Sequence, residues 1–298
     1  MKTSLCNPNA CASAKRLYAQ LQDVFGQKIL LAQQEFPGHG RYDQEMEHIH
    51  RVTGSLPAIR GLDFMHDDYA GAVQRARDWH ARGGIVSICW HTGLVGLGYQ
   101  ECLDEKPDFG ALFTEGSEER ALLYRRWDDA AQALALLQND DIPVLWRPFH
   151  EFNGGWFWWG KAGSEAFIRL WREMYAYFTD KYALNNLIWV LGYADNVDAA
   201  WYPGDAYCDI AGSDTYKAVT THAAAFRDLS ALCPGKLLAF HECGTMPPAG
   251  DFFADGAPWL WMMPWHGKWA MEDNTPEGLR SIYGDSRTLT LDDVRAWK

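Results

Sequence analysis

Eight short apolar runs recur along this 298-residue chain, separated by longer amphipathic stretches. That alternation is the pattern of a parallel sheet whose strands are joined by crossover helices. The runs cover 28–34, 57–64, 84–91, 142–151, 186–193, 209–216, 236–242 and 258–266. Between them, 43–54, 66–84, 117–141, 164–183 and 221–235 read as helices, several opened by Ser or Asp and closed by Gly-Gly or Pro-Gly. The stretch after the fifth run is too short for a full helix, 245–257 reads mostly as loop, and 291–298 is expected to close the ring. Eight strand and helix pairs over about 270 residues predict the α/β class and a (β/α)8 TIM barrel. No Ser/Gly/Pro-rich linker interrupts them, so residues 1–298 are read as one catalytic domain. Residues 93–116 form a long insertion after the third run, of the kind that shapes a substrate face.

In such a barrel the active site lies at the C-terminal ends of the strands, so the polar residues that close each run carry the information. They are Trp90 and His91 on run three, Arg147, His150 and Glu151 on run four, and Asp214 and Tyr216 on run six. Run seven closes with His241 and Glu242, and run eight with Trp265 and His266. A carboxylate at the end of an apolar strand persists only if paired, hydrogen-bonded or near water. Glu151 and Glu242 are read as lying on strands four and seven, which face each other across the mouth of an eight-stranded ring. Opposed carboxyl groups in an aromatic cleft are what glycoside hydrolysis requires: one protonates the leaving oxygen, while the other attacks C1 or activates water. Arg147 with tyrosine and histidine donors is expected to hold one glutamate ionised, and burial against tryptophans to raise the pKa of the other.

Tryptophan is the compositional outlier, with 15 copies. Most are expected in the core. The loop 152–160 (FNGGWFWWG), directly after Glu151, carries three of them and more apolar area than a loop needs. A pyranose ring stacks its C–H face on an indole, and Trp156 is read as the one that faces sugar.

The segment WRPFHEFNGGWFWWG (146–160) closely resembles the acid/base signature of glycoside hydrolase family 26, a family dominated by endo-β-1,4-mannanases. The resemblance continues in YPGDAYCDIAGSDTY (202–216) and FHECG (240–244), and more weakly in TGSLPAIRGLDF (53–64) and ICWH (88–91). It implies a retaining double displacement on β-mannan polysaccharide or oligosaccharide, with Glu151 as acid/base and Glu242 as nucleophile. It further implies that His150 hydrogen-bonds beside the nucleophile, that Tyr216 orients it, and that His91 contacts the sugar at subsite −1. Trp265 would stack beneath that sugar and Trp156 would line the leaving-group side. Asp214 would bind sugar or support the wall, and Arg147 and Asn153 would play supporting parts. The chain departs from the pattern after His91, where Thr92-Gly93-Leu94-Val95 replaces an Asn-Pro common among relatives. Smaller branches of the family act on β-1,3-xylan or mixed-linkage β-glucan, and a catalytically silent sugar-binding barrel is the rival from another class.

Other classes fit poorly. The chain has 27 Lys+Arg against 39 Asp+Glu, and a net charge of −12 repels nucleic acid and anionic membranes. No apolar run reaches membrane-spanning length, and the N-terminus lacks the apolar stretch of a secretory signal, which predicts a cytoplasmic protein unless a leader has been trimmed. Seven scattered cysteines without a C-x-x-C pair write neither a disulfide framework nor a zinc site. His48 and His50 point to different helix faces, and no H-E-x-x-H, Gly-rich phosphate loop or G-x-S-x-G elbow is present, so neither metal nor cofactor is expected. Oligomeric state is silent in the sequence.

Overall fold

All eight apolar runs become parallel strands: β1 (Ile29–Gln34), β2 (Ile59–Asp63), β3 (Ile85–Cys89), β4 (Val144–Arg147), β5 (Leu187–Ala194), β6 (Ile210–Thr215), β7 (Leu237–Cys243) and β8 (Trp261–Pro264). The computed structural model describes residues 3–297 except His39 and Ala218. Each strand pairs with the next, and β8 returns to β1 through Leu30–Trp261 and Leu31–Met262, so the sheet closes as a (β/α)8 barrel. Closure is therefore made by β8 and β1, not by 291–298. Leu291–Val294 is one helical turn, and Thr290 just before it bridges to Pro57, ahead of β2. A two-residue strand, β9 (Thr288–Leu289), pairs in parallel with the start of β1.

Along each strand alternate residues point in and out. On β5, Leu187, Trp189, Leu191 and Tyr193 pack against the surrounding helices, while Ile188 and Val190 join a second cluster inside the barrel. Both faces are covered, which explains why these runs are continuously apolar. The first helix, α1 (Ala12–Val24), lies outside the helices expected from the sequence pattern. Its Ala14, Leu17, Tyr18 and Leu21 form one buried face against Leu30, Ile59, Ile85, Leu145, Ile188 and Leu237, closing the floor of the barrel beneath the strand starts.

The outer ring holds α2 (Gln44–Thr53), α3 (Tyr69–Ala81), α4 (Tyr99–Asp104), α5 (Phe109–Leu112), α6 (Glu118–Asn139), α7 (Ser164–Ala176), α8 (Ala223–Leu232), α9 (Ala249–Ala254) and α10 (Pro276–Tyr283). The short α4 and α5 lie within the 93–116 insertion, α9 is a brief helix in the stretch expected to be loop, and only isolated turns follow β5. Ser117 caps α6 through Arg120 N–H, as its sequence suggests. Ten of the tryptophans are buried, among them Trp127, Trp146, Trp171 and Trp189 between strands and helices. Among the described residues no helix is long and apolar enough to cross a membrane.

Candidate active site

The barrel interior is polar where the strands end, which costs free energy unless every group is paired. Arg147, the last residue of β4, is fully buried. Its Nε donates to Ser87 Oγ on β3 (2.9 Å) and its Nη2 to Gln34 Oε1 on β1 (2.8 Å). Its Nη1 donates both to His241 Nε2 (2.9 Å) and to Glu242 Oε1 (2.8 Å) on β7. Gly61 makes room for this network, since a Cβ there would lie 2.2 Å from Gln34 Oε1.

Glu242 lies within β7, 2% exposed, and its second oxygen accepts the Tyr216 hydroxyl at 2.8 Å. Burial and then the Glu242 charge push Tyr216 well above the ordinary tyrosine range, so the phenol remains a donor. The opposite wall is built differently. Pro148 lacks an N–H and ends β4, so Glu151 stands four residues beyond the strand on a tight turn, rather than on the strand itself as expected from the unbroken run. Phe149 and Glu151 both take left-handed φ, 51° and 53°, and Glu151 N–H donates to Gly192 O (2.7 Å), tying the turn to β5. Asn153 reinforces this: its amide accepts Ala194 N–H (2.7 Å) and donates to Ala194 O and Asn196 O.

The Trp156 indole N–H donates to Glu151 Oε2 at 2.9 Å. Burial first, and the Glu242 charge second, push its pKa up to about 7. Of the aromatic loop, Phe157, Trp158 and Trp159 are buried, while Trp156 is 39% exposed. The indoles of Trp158 and Trp159 donate to Thr92 O and His150 O, so these two rings build the rim that carries Trp156.

Both glutamates line a single cavity of about 620 Å³ together with His91, His150, Asp214, Tyr216, Trp156 and Trp265. His91 is fixed by Asp63 at the end of β2, through Nδ1 to Oδ2 (2.6 Å) and its backbone N–H to Oδ1 (3.0 Å). Burial works against the His91 cation, but the Asp63 charge and hydrogen bond outweigh it and raise the pKa. His150 sits edge-on to His91 with centroids 4.6 Å apart; burial and its cationic neighbours drive its pKa well down, which leaves it neutral. Its Nε2 is 3.9 Å from Glu242 Oε1, beside the carboxylate but beyond a direct hydrogen bond. Asp214 accepts His241 Nδ1–H at 2.7 Å, and burial with the charges of Glu242 and Glu151 raises its pKa well above the carboxylate range. It both faces the cavity and braces the wall.

Several residues of the site were missed by sequence reasoning. Tyr99 and Leu103, from the insertion after β3, line the cavity, as do Asp195, Lys217 and Trp269. Trp269 packs on Tyr216 (5.4 Å between centroids) and lies against Gly244, where a Cβ would come within 2.9 Å of the indole. Of the five tryptophans not buried, Trp156, Trp265 and Trp269 are in this cavity. Two clusters have metal-ligating atoms within 4.8 Å of one another, Asp63 with Cys89 and His91, and Asp214 with His241 and Glu242. In the first, Asp63 is bound to His91; in the second, Asp214 is bound to His241 Nδ1, and the Arg147 guanidinium is bound to His241 Nε2 and Glu242 Oε1.

The arrangement suits acid-assisted cleavage: a carboxylate paired with a fixed cation faces a carboxyl group that retains its proton near neutrality. Known proteins resemble the chain over nearly its whole length. A mannan endo-1,4-beta-mannosidase of Thermothelomyces thermophilus is 32% identical over 324 residues, covering 99% of this chain; this chain spans 64% of that relative's length. The crystal structure of a ruminal GH26 endo-beta-1,4-mannanase superposes with a TM-score of 0.92 at 29% identity, covering 98% of this chain and 70% of that one. A Podospora anserina GH26-CBM35 beta-(1,4)-mannanase gives 0.88 at 34% identity, covering 100% of this chain and 70% of that one. The family model for glycosyl hydrolase family 26 matches residues 6–293, and the chain belongs to that family.

Proposed function

We propose that this protein is a retaining glycoside hydrolase that cleaves β-1,4-mannosidic linkages in mannan, galactomannan or manno-oligosaccharides. The observation that carries the reading is the unlike setting of two carboxyls in one cavity: Glu242 held between Arg147 and Tyr216, Glu151 with its pKa pushed up to about 7. In the first step Glu242 attacks the anomeric carbon while Glu151 gives its proton to the departing oxygen. Glu151, now a carboxylate, then takes a proton from water, which attacks C1 and frees Glu242. His91 meets the −1 sugar, Trp265 stacks beneath it, and Trp156 lines the leaving-group side while its N–H steadies the Glu151 carboxylate as it forms. Asp214 presents its remaining oxygen to the same sugar. The mannosyl preference rests on the relatives, and chemically on the axial 2-hydroxyl that distinguishes mannose from glucose and xylose.

Time-resolved product analysis on defined manno-oligosaccharides, with linear mannan, galactomannan, xylan and lichenan in parallel, tests the proposal. Cleavage of the β-mannans with β-anomeric first products is expected. Turnover of xylan or lichenan alone would reassign the substrate, and tight binding without cleavage would reassign the protein as a sugar-binding barrel.

A further inference from the structure

His241 directly precedes the nucleophile, and strict strand alternation would send it outward whenever Glu242 points inward. On β7, Leu237 and Ala239 face the barrel interior, while Leu238, Phe240 and Cys243 face the outer core. His241 and Glu242 lie between two outward residues, yet both reach the interior network. A bulge permits this: Ser213 pairs with Phe240 but the next residue, Asp214, pairs with Glu242, leaving His241 as the extra residue, and the register with β8 shifts in the same place. Bulges of this kind re-aim side chains beside active sites. Space is cleared on two neighbouring strands, since a Cβ on Gly192 or Gly212 would lie 2.7 Å from His241 atoms.

The hydrogen bonds fix the proton. A guanidinium has only donors, so His241 Nε2 must accept from Arg147, and the single ring proton is on Nδ1, where it donates to Asp214 Oδ1. Burial and Arg147 hold the imidazole neutral. The charged and titratable groups around it are Asp214 on β6, Arg147 on β4, His150 on the turn after β4 at 5.8 Å between centroids, and Glu242 on its own strand, 4.0 Å from Nδ1. We infer that His241 is a positioning residue: locked as the Nδ1–H tautomer by Asp214, it anchors the Arg147 guanidinium against Glu242 Oε1 and so aims the nucleophile without touching substrate.

This rests on Glu242 being the nucleophile, and one experiment separates the two statements. Wild-type enzyme, His241→Leu, His241→Gln and Gly192→Ala are incubated with a 2-deoxy-2-fluoro-mannobiosyl fluoride, and the glycosyl adduct is followed by intact mass and peptide mapping. Wild type is expected to label at Glu242. His241→Leu, which can neither accept from Arg147 nor donate to Asp214, should label on the order of tenfold more slowly at saturation with an unchanged binding constant. His241→Gln, which can do both, should recover most of the rate. Should the leucine variant not fold, Gly192→Ala decides instead: its methyl presses on the ring from outside the network and should also slow labelling. Wild-type rates in the leucine or alanine variant, or equal rates for Leu and Gln, would overturn the inference. Absence of any wild-type adduct would overturn the assignment of Glu242 itself.

Discussion

Glu242 and Glu151 enter the same cavity from opposite sides of the ring, yet one is met by a guanidinium and a phenol and the other by an indole N–H. Glu242 is held by a strand, and its partners come from across the ring and from beside it: Arg147 from β4, positioned in turn by Ser87, Gln34 and His241, and Tyr216 from just after β6. Glu151 is held by backbone, on a left-handed turn tied to Gly192, and its carboxyl is left largely dehydrated beside a second carboxyl. On the proposed assignment, the two chemical roles rest on two kinds of scaffold. A nucleophile must be charged and aimed, which a rigid ion pair provides; an acid must keep its proton near pH 7, which dehydration and a like charge provide.

The largest loss is expected at Glu242. Glu242→Ala should lower kcat on the order of 10⁴-fold or more on any mannoside, because no other group replaces the attacking oxygen. Glu151→Ala should cost roughly 10²- to 10⁴-fold on manno-oligosaccharides, but far less for the first step of an aryl mannoside whose leaving group needs no proton, as a stopped-flow burst would reveal. Equal losses on both substrates would contradict the acid role. Tyr216→Phe removes one donor to Glu242 and should lower kcat by about 10- to 100-fold with little change in KM.

The acid side can be sharpened by pH. With Glu151 as the proposed acid, kcat/KM is expected to fall as pH rises through about 7, the value to which burial and Glu242 push that group. The Trp156 N–H favours the charged form, so Trp156→Phe should move this alkaline limb to higher pH. A limb that stays in place in that variant would separate Trp156 from the acid. This shift is the smallest of the expected effects.

Much of this architecture was legible in the chain because barrel strands are buried on both faces and read as unbroken apolar runs; six of the eight contain their strand, and those of β5 and β7 stop one residue short of the strand end. The aromatic loop was legible because FNGGWFWWG places more indole than a surface turn can hide, and Trp156 is its exposed member. Four features escaped for physical reasons. The run 142–151 looks continuous, although Pro148 already ends the ladder and throws Glu151 onto a turn. The bulge at His241 is a one-residue slip against β6, and a register relation between two strands leaves no periodic trace in either. Gln34 and Ser87 look like ordinary strand residues until the ring closes and brings them to Arg147. Trp269 lies beyond β8 and reaches the site only because Gly244 leaves its ring a place.

The most direct test of the division of labour is azide rescue of the two alanine variants on an activated β-mannoside, with the anomeric configuration of the product read by NMR. Glu242→Ala should return the α-mannosyl azide, since azide then attacks C1 in place of the missing nucleophile. Glu151→Ala should return the β-azide, by capture of an intact glycosyl-enzyme. The reverse pairing of variant and anomer would contradict the account.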